Sequence, residues 1–189
     1  MAHSPPNSTR SRAASTSHQL QFEVMRSVAP LNRQIRAMTL IPGATEYGLF
    51  PDAVTAEPSR GETISLTRHV LHAQSDFAAS VDELQALCPN LENVALVVAW
   101  FGDDLRAGAC KIRPCVVDQA DGGAARPWSV SGVTRTEARV ISRIEGKSAY
   151  GGTPTDLSVT AAISDLKSRG LKVTLYPFVM MDIPAGNEL

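Results

Sequence analysis

The sequence predicts an α/β fold built on parallel strands, and three features carry that prediction. An unbroken apolar run, Val94 to Phe101, ends on Gly102, Asp103 and Asp104; a second run, Leu171 to Phe178, follows Gly170; and between them the apolar residues recur at helical rather than alternating spacing. The first run is too short to cross a membrane and too β-branched and aromatic to favour a helix. Continuous rather than alternating apolar character marks a strand buried on both faces, as strands of parallel sheets are. The change from apolar residues to Gly102-Asp103-Asp104 then marks the C-terminal edge of the sheet, where α/β proteins collect ligand-facing groups.

At 189 residues and 43% hydrophobic, the chain can hold one ordinary domain with a core. The 18 basic and 19 acidic residues leave a net charge of -1, which supplies no field for drawing in nucleic acid or an anionic membrane. Cys88, Cys110 and Cys115 cannot all pair with one another, and the Cys110/Cys115 spacing lacks a second ligand pair at zinc spacing. They are read as thiols in a reducing compartment. His69-x-x-His72 without further ligands reads as a surface coincidence, so neither metal nor cofactor is predicted.

Taken in order, Met1 to about Gln19 is rich in Ser, Thr, Pro and Arg without an acid, but it has no apolar stripe and reads as a disordered tail or a badly chosen translation start. Gln21 to Met38 supports at most a short helix, and Pro42-Gly43, Pro51 and Pro58-Ser59 predict turns and irregular chain from Thr39 to Gly61. Ile64, Leu66, Val70 and Leu71 are expected to cover one side of a short element. Ser80-Val-Asp-Glu83 matches a capping box opening a helix whose face is Val81, Leu84, Leu87 and Cys88, with Pro89 as its stop. Residues 1–37 thus form a disordered or unmatched segment and 38–78 an irregular lead-in, with the ordered α/β part at 79–189.

After the first strand, the Gly-, Asp- and Pro-rich interval from Gly102 to Gly132 is far longer than the ~2–6 residues of an ordinary βα loop. Thr134-Arg-Thr-Glu137 matches a second capping box, with Val140, Ile141 and Ile144 as the inner face of a helix that Gly146 stops. Gly151-Gly152 predict a turn, Thr153 a cap, and Pro154 the first helical position, with Asp156 in the first turn. Val159, Ala162, Ile163 and Leu166 form the inner face, Asp165, Lys167, Ser168 and Arg169 the wet one, and Gly170 the stop. The second strand then carries Val179 to Pro184 over the same sheet edge with Asp182 exposed, and Pro177 lies near the strand's end.

These elements make a βαβ unit with an expected right-handed crossover. A (β/α)8 barrel needs eight such units, and even an open doubly wound sheet needs more than two strands. With both strands read as buried on two faces and each given one neighbour, the chain is expected to be a piece of a larger domain.

Several segments resemble one family: Leu96-Val-Val-Ala-Trp-Phe-Gly-Asp-Asp-Leu-Arg106, Gly108-Ala-Cys-Lys-Ile-Arg-Pro114, Ala149-Tyr-Gly-Gly-Thr-Pro154 and Leu175-Tyr-Pro-Phe-Val-Met-Met-Asp-Ile-Pro-Ala-Gly-Asn187. They are similar to the TIM-barrel-like domain of gene transfer agents, carried in the baseplate hub protein of the glycoside hydrolase/phage tail family. The similarity begins near Leu40-Ile-Pro-Gly-Ala-Thr-Glu-Tyr47 and runs to the end of the chain, while Met1 to about Ala37 matches nothing in that family. The resemblance implies a partial (β/α)8 TIM-barrel-like fold comprising the first two parallel strands and their helices. It also implies a place in a phage-like tail particle after assembly in the cytoplasm, with other tail or baseplate proteins as partners and cell-wall glycan as ligand.

Glycoside hydrolysis needs two carboxyl groups, about 5–5.5 Å apart for retention or ~6.5–9.5 Å for inversion. Neighbours in an extended chain point to opposite sides, so Asp103 and Asp104 do not serve together, and Asp104 with Asp182 is the favoured pair, Asp103 the weaker candidate. Trp100, Tyr176 and Trp128 are candidate sugar platforms. The bland readings stand beside these: Trp100 as core, Asp103 and Asp104 as a solvated turn, Trp128 as a pin for the long loop. Three functions follow: a structural or glycan-recognising piece of a baseplate hub, a glycoside hydrolase acting on cell-wall glycan, or an inactive gene remnant.

Overall fold

The computed structural model describes residues 31–41 and 45–183. The expected tail up to Gln19, the Pro42-Gly43 turn and the chain beyond Ile183 lie outside these. In chain order the helices are α1 (Leu31–Gln34), α2 (Asp76–Leu87) and α3 (Asp156–Ser168). The strands are β1 (Ala37–Leu40), β2 (Thr55–Ser59), β3 (Glu62–Ser65), β4 (Asn93–Gly102), β5 (Ile112–Arg113), β6 (Cys115–Val116), β7 (Ser129–Val130), β8 (Val133–Thr134), β9 (Arg139–Val140), β10 (Arg143–Ile144), β11 (Lys147–Ser148) and β12 (Lys172–Met181).

The fold is mixed α/β, and its four-stranded main sheet has parallel strands in the order β1-β4-β12 with β5 antiparallel to β4. Leu96 of β4 stands opposite Leu40 on one side and Leu175 on the other. Where β1 ends, the returning chain takes over the same edge of β4, as β5 pairs antiparallel with Phe101 and Gly102. The expectation of two strands with one neighbour each is therefore corrected: β4 is flanked on both edges. Ala37-Met-Thr-Leu40 is too short to carry a strand period of its own, and pairing with β4 makes it a strand.

Side chains alternate across the sheet. Leu40, Val94, Leu96 and Val173 face one way and pack with Phe77 and Val81 of α2 and Val159, Ala162, Ile163 and Leu166 of α3. Both long helices thus lie on one face. The opposite face carries Val97, Ala99, Phe101, Phe178 and Met180; Cys115, Ile141 and Ala149 cover Phe101 and Met180 at its C-terminal end, and the rest opens into a cavity bordered by the segment Ala149 to Pro154.

β12 is not buried on two faces as its composition suggested. Leu175, Tyr176, Phe178 and Val179 are 50%, 47%, 44% and 41% exposed, because β4 is the strand's neighbour on one edge and the described residues supply none on the other. Lys172 N–H donates to Glu92 and Asp182 N–H to Gly102, so even-numbered amides face β4 and odd-numbered ones the free edge. Pro177 is odd-numbered and sits mid-strand opposite Val98 rather than near the end. It is tolerated because its missing donor faces outward, and it blunts an edge that would otherwise invite pairing.

Helix α2 starts five residues before the predicted capping box. Ser75 is the N-cap, its hydroxyl accepting the Ala78 N–H and donating to Pro51 O at 2.8 Å, while Ser80 lies inside the helix and donates to Asp76 O. Ser75→Ala should lower stability by about 1–2 kcal/mol, read as a shift in the urea midpoint at constant slope. A Ser80→Ala change of similar size would reassign the cap.

Helix α3 begins after Thr155, not Thr153, leaving Pro154 outside it. Its end follows the pattern: Gly170 at φ +81 lets its own N–H reach Lys167 O and the Leu171 N–H reach Leu166 O, a Schellman closure. Gly151-Gly152 form no turn. Gly152 is required for close approach, since a Cβ there would lie 2.3 Å from Glu46 Cγ.

The predicted helix from Thr134 is absent. Glu137 does accept the Thr134 N–H and hydroxyl, but one turn later the chain enters β9, pairing Arg139 and Val140 with Cys115 and Val116. Gly146 and Glu145, both at positive φ, form the turn of the β10–β11 hairpin instead of a helix stop. The β-branched residues Val140 and Ile141 fit either period, and long-range pairing decided between them. The Ile64–Leu71 stretch likewise forms no shared buried face, with Ile64 in β3 and both Ile64 and Leu71 exposed.

Candidate functional site

The C-terminal edge of β4 and β12 gathers the three carboxylates singled out in the sequence. The paired register ends at Met181 opposite Gly102, and the Asp182 N–H donates to Gly102 O at 2.9 Å, so Asp182 emerges beside Asp103. By register Asp103 is the residue that continues β4 beside Asp182, and Asp104 follows it one position further along the chain.

Arginines engage all three acids. Asp104 is buried and bidentate to Arg106, with Oδ1 accepting Nε at 2.9 Å and Oδ2 accepting Nη2 at 2.6 Å. These contacts hold the Arg106 guanidinium above its ordinary pKa. Asp103 accepts the Lys111 N–H at 2.7 Å and lies 3.9 Å from Arg113, which ties the two ends of the turn together. Asp182 is 2% exposed and accepts Arg139 Nη2 at 2.7 Å and the Ser142 N–H at 3.2 Å; the same Nη2 donates to its backbone carbonyl at 2.6 Å. The expectation of an exposed Asp182 is corrected, because the 139–142 segment folds over it.

Cys115 lies among these groups. Burial pushes its thiol up to about 11, with Arg139, Asp182, Arg113 and Asp103 all close enough to be felt. A thiol so protonated is a poor nucleophile. Cys88, Cys110 and Cys115 are free thiols, and no metal-sized group of His, Cys, Asp and Glu occurs among the described residues.

Below the carboxylates, a cavity of about 340 Å³ opens on the uncovered sheet face between Val97, Phe101, Tyr150, Phe178, Met180 and Ile41. Phe101 meets the Tyr150 ring at 6.0 Å, and Tyr176 meets Phe178 edge-on at 6.2 Å. Tyr176 is therefore an exposed ring beside the cavity. Trp100 faces the other way and packs, half-buried, against the cluster of Tyr47, Phe50 and Trp128. Trp128 is 3% exposed and donates its indole N–H to Thr153 O at 2.8 Å, which pins the long interval to the start of α3.

The cavity wall depends on a second charged group that sequence reasoning missed. Glu46 and Arg135 form a buried ion pair; Glu46 also accepts the Val117 N–H at 2.7 Å, and its carbonyl accepts the Thr155 N–H at 3.0 Å. Arg135 lies 5.8 Å from the rings of both Tyr47 and Trp128. Burial pulls the Arg135 pKa down, but the hydrogen bonds and charge attraction of Glu46 and Tyr47 together outweigh it and leave the guanidinium above its ordinary value. Burial likewise raises the Tyr47 phenol. Of the residues missed, Glu46, Arg106 and Arg113 stand within the segments that carry the resemblance, whereas nothing local marks Arg135 or Arg139 as the partner of a buried carboxylate.

His69 is paired rather than idle: its ring nitrogen lies 2.6 Å from one oxygen of Asp76, and its backbone N–H donates to the other at 2.7 Å. The His69 side chain and backbone both hold the Asp76 carboxyl below its ordinary value. A depressed folded-state pKa adds stability above the unfolded value and loses it as pH falls through the folded one. His69→Ala should therefore raise the Asp76 titration midpoint, followed by carboxyl NMR; an unmoved midpoint would show that the pair does not form in solution.

No family model matches this chain, and no curated protein is significantly similar to it. No helix among the described residues is long and apolar enough to cross a membrane.

Proposed function

We propose that this chain is part of a TIM-barrel-like domain of a gene-transfer-agent baseplate hub, with a structural or cell-wall-glycan-recognising role. The observation that supports this fold is the order β1-β4-β12 with α2 and α3 on one face and an apolar, only partly covered opposite face. Doubly wound sheets put helices on both faces, whereas barrel units keep helices outside and apolar side chains inside. The tail assignment rests on the sequence resemblance. In this reading other tail or baseplate proteins are the partners, and the chain passes from cytoplasm to tail particle.

Recognition fits the geometry better than hydrolysis. Oxygens of Asp104 and Asp182 that already accept guanidinium N–H groups are arranged as fixed acceptors, whereas a glycosidase needs one carboxyl free to deliver a proton to the leaving oxygen. The hydrolase reading keeps one favourable observation, Asp103 emerging beside Asp182 above an aromatic-lined cavity.

The experiment follows the protein through purification of tail particles and tests isolated peptidoglycan. Co-sedimentation with particles is expected, and recovery only from the soluble fraction would overturn the tail role. Sacculi should bind the protein without release of reducing sugar, and Tyr176→Ala should weaken binding roughly threefold to tenfold, equivalent to ~0.5–1.5 kcal/mol of ring stacking. Sugar release that disappears in Asp182→Asn would establish the hydrolase reading instead.

A further inference from the structure

We draw no further inference here: the strongest candidate, the open apolar face between Ile41, Phe101, Tyr150 and Phe178 that continues onto the free edge of β12, carries nothing because no feature of the structure shows what covers it.

Discussion

Glu46→Ala should destabilise the protein by about 3–5 kcal/mol, the usual cost of leaving one partner of a buried ion pair uncompensated. The loss has three parts: the Arg135 charge stays buried, the Val117 N–H loses its acceptor, and the contact with Gly152 becomes a gap. Arg135 Nε already lacks a hydrogen-bond partner among the described residues, so the pair is not an optimal source of stability. Glu46→Leu combined with Arg135→Met should therefore recover most of the loss, since apolar replacement of both partners removes the desolvation cost together with the attraction. Urea unfolding of Glu46→Leu, Arg135→Met and the double variant gives the coupling. A Glu46→Ala change below about 1 kcal/mol would mean that this link between the 45–47, 117, 135 and 152–155 segments is not made in solution.

Phe101→Ala should cost about 3–5 kcal/mol, whereas Phe178→Ala should stay within about 1 kcal/mol, although both rings line the same cavity. Phe101 is fully buried among Cys115, Ile141, Ala149 and Met180, so its removal leaves a void where the long interval meets the sheet. Phe178 stands on the outer strand with much of its ring in water. Its truncation gives up little packing. Thermal or urea melts of both variants test this directly. Equal losses would show that the face beyond β12 is covered in solution, most simply by association, and sedimentation at two concentrations would then detect it.

The site was partly legible because sheet edges announce themselves in sequence. The passage from Phe101 to Gly102-Asp103-Asp104, and the appearance of Asp182 after Met181, put three acids at one sheet edge from the sequence alone. Their partners were not legible. Arg139 comes from a segment whose capping-box pattern suggested a helix, and Glu46 from one full of turn signals; their ion pairs span 43 and 89 residues. Nothing local distinguishes an arginine that will meet such a carboxylate from one that faces water.

Sequence by itself determined β4, α3 and β12, because each is written in a local pattern: an unbroken apolar run, a helical stripe closed by Gly170, and a second apolar run straight after that glycine. Tertiary structure decided what local periods leave open. It made a strand of Ala37–Leu40 by offering it the edge of β4, drew Arg139–Val140 into pairing with Cys115–Val116, and left β12 half exposed. The physical reason is the same in each case: pattern reports which side chains can be buried together, while pairing and burial depend on which distant neighbour arrives.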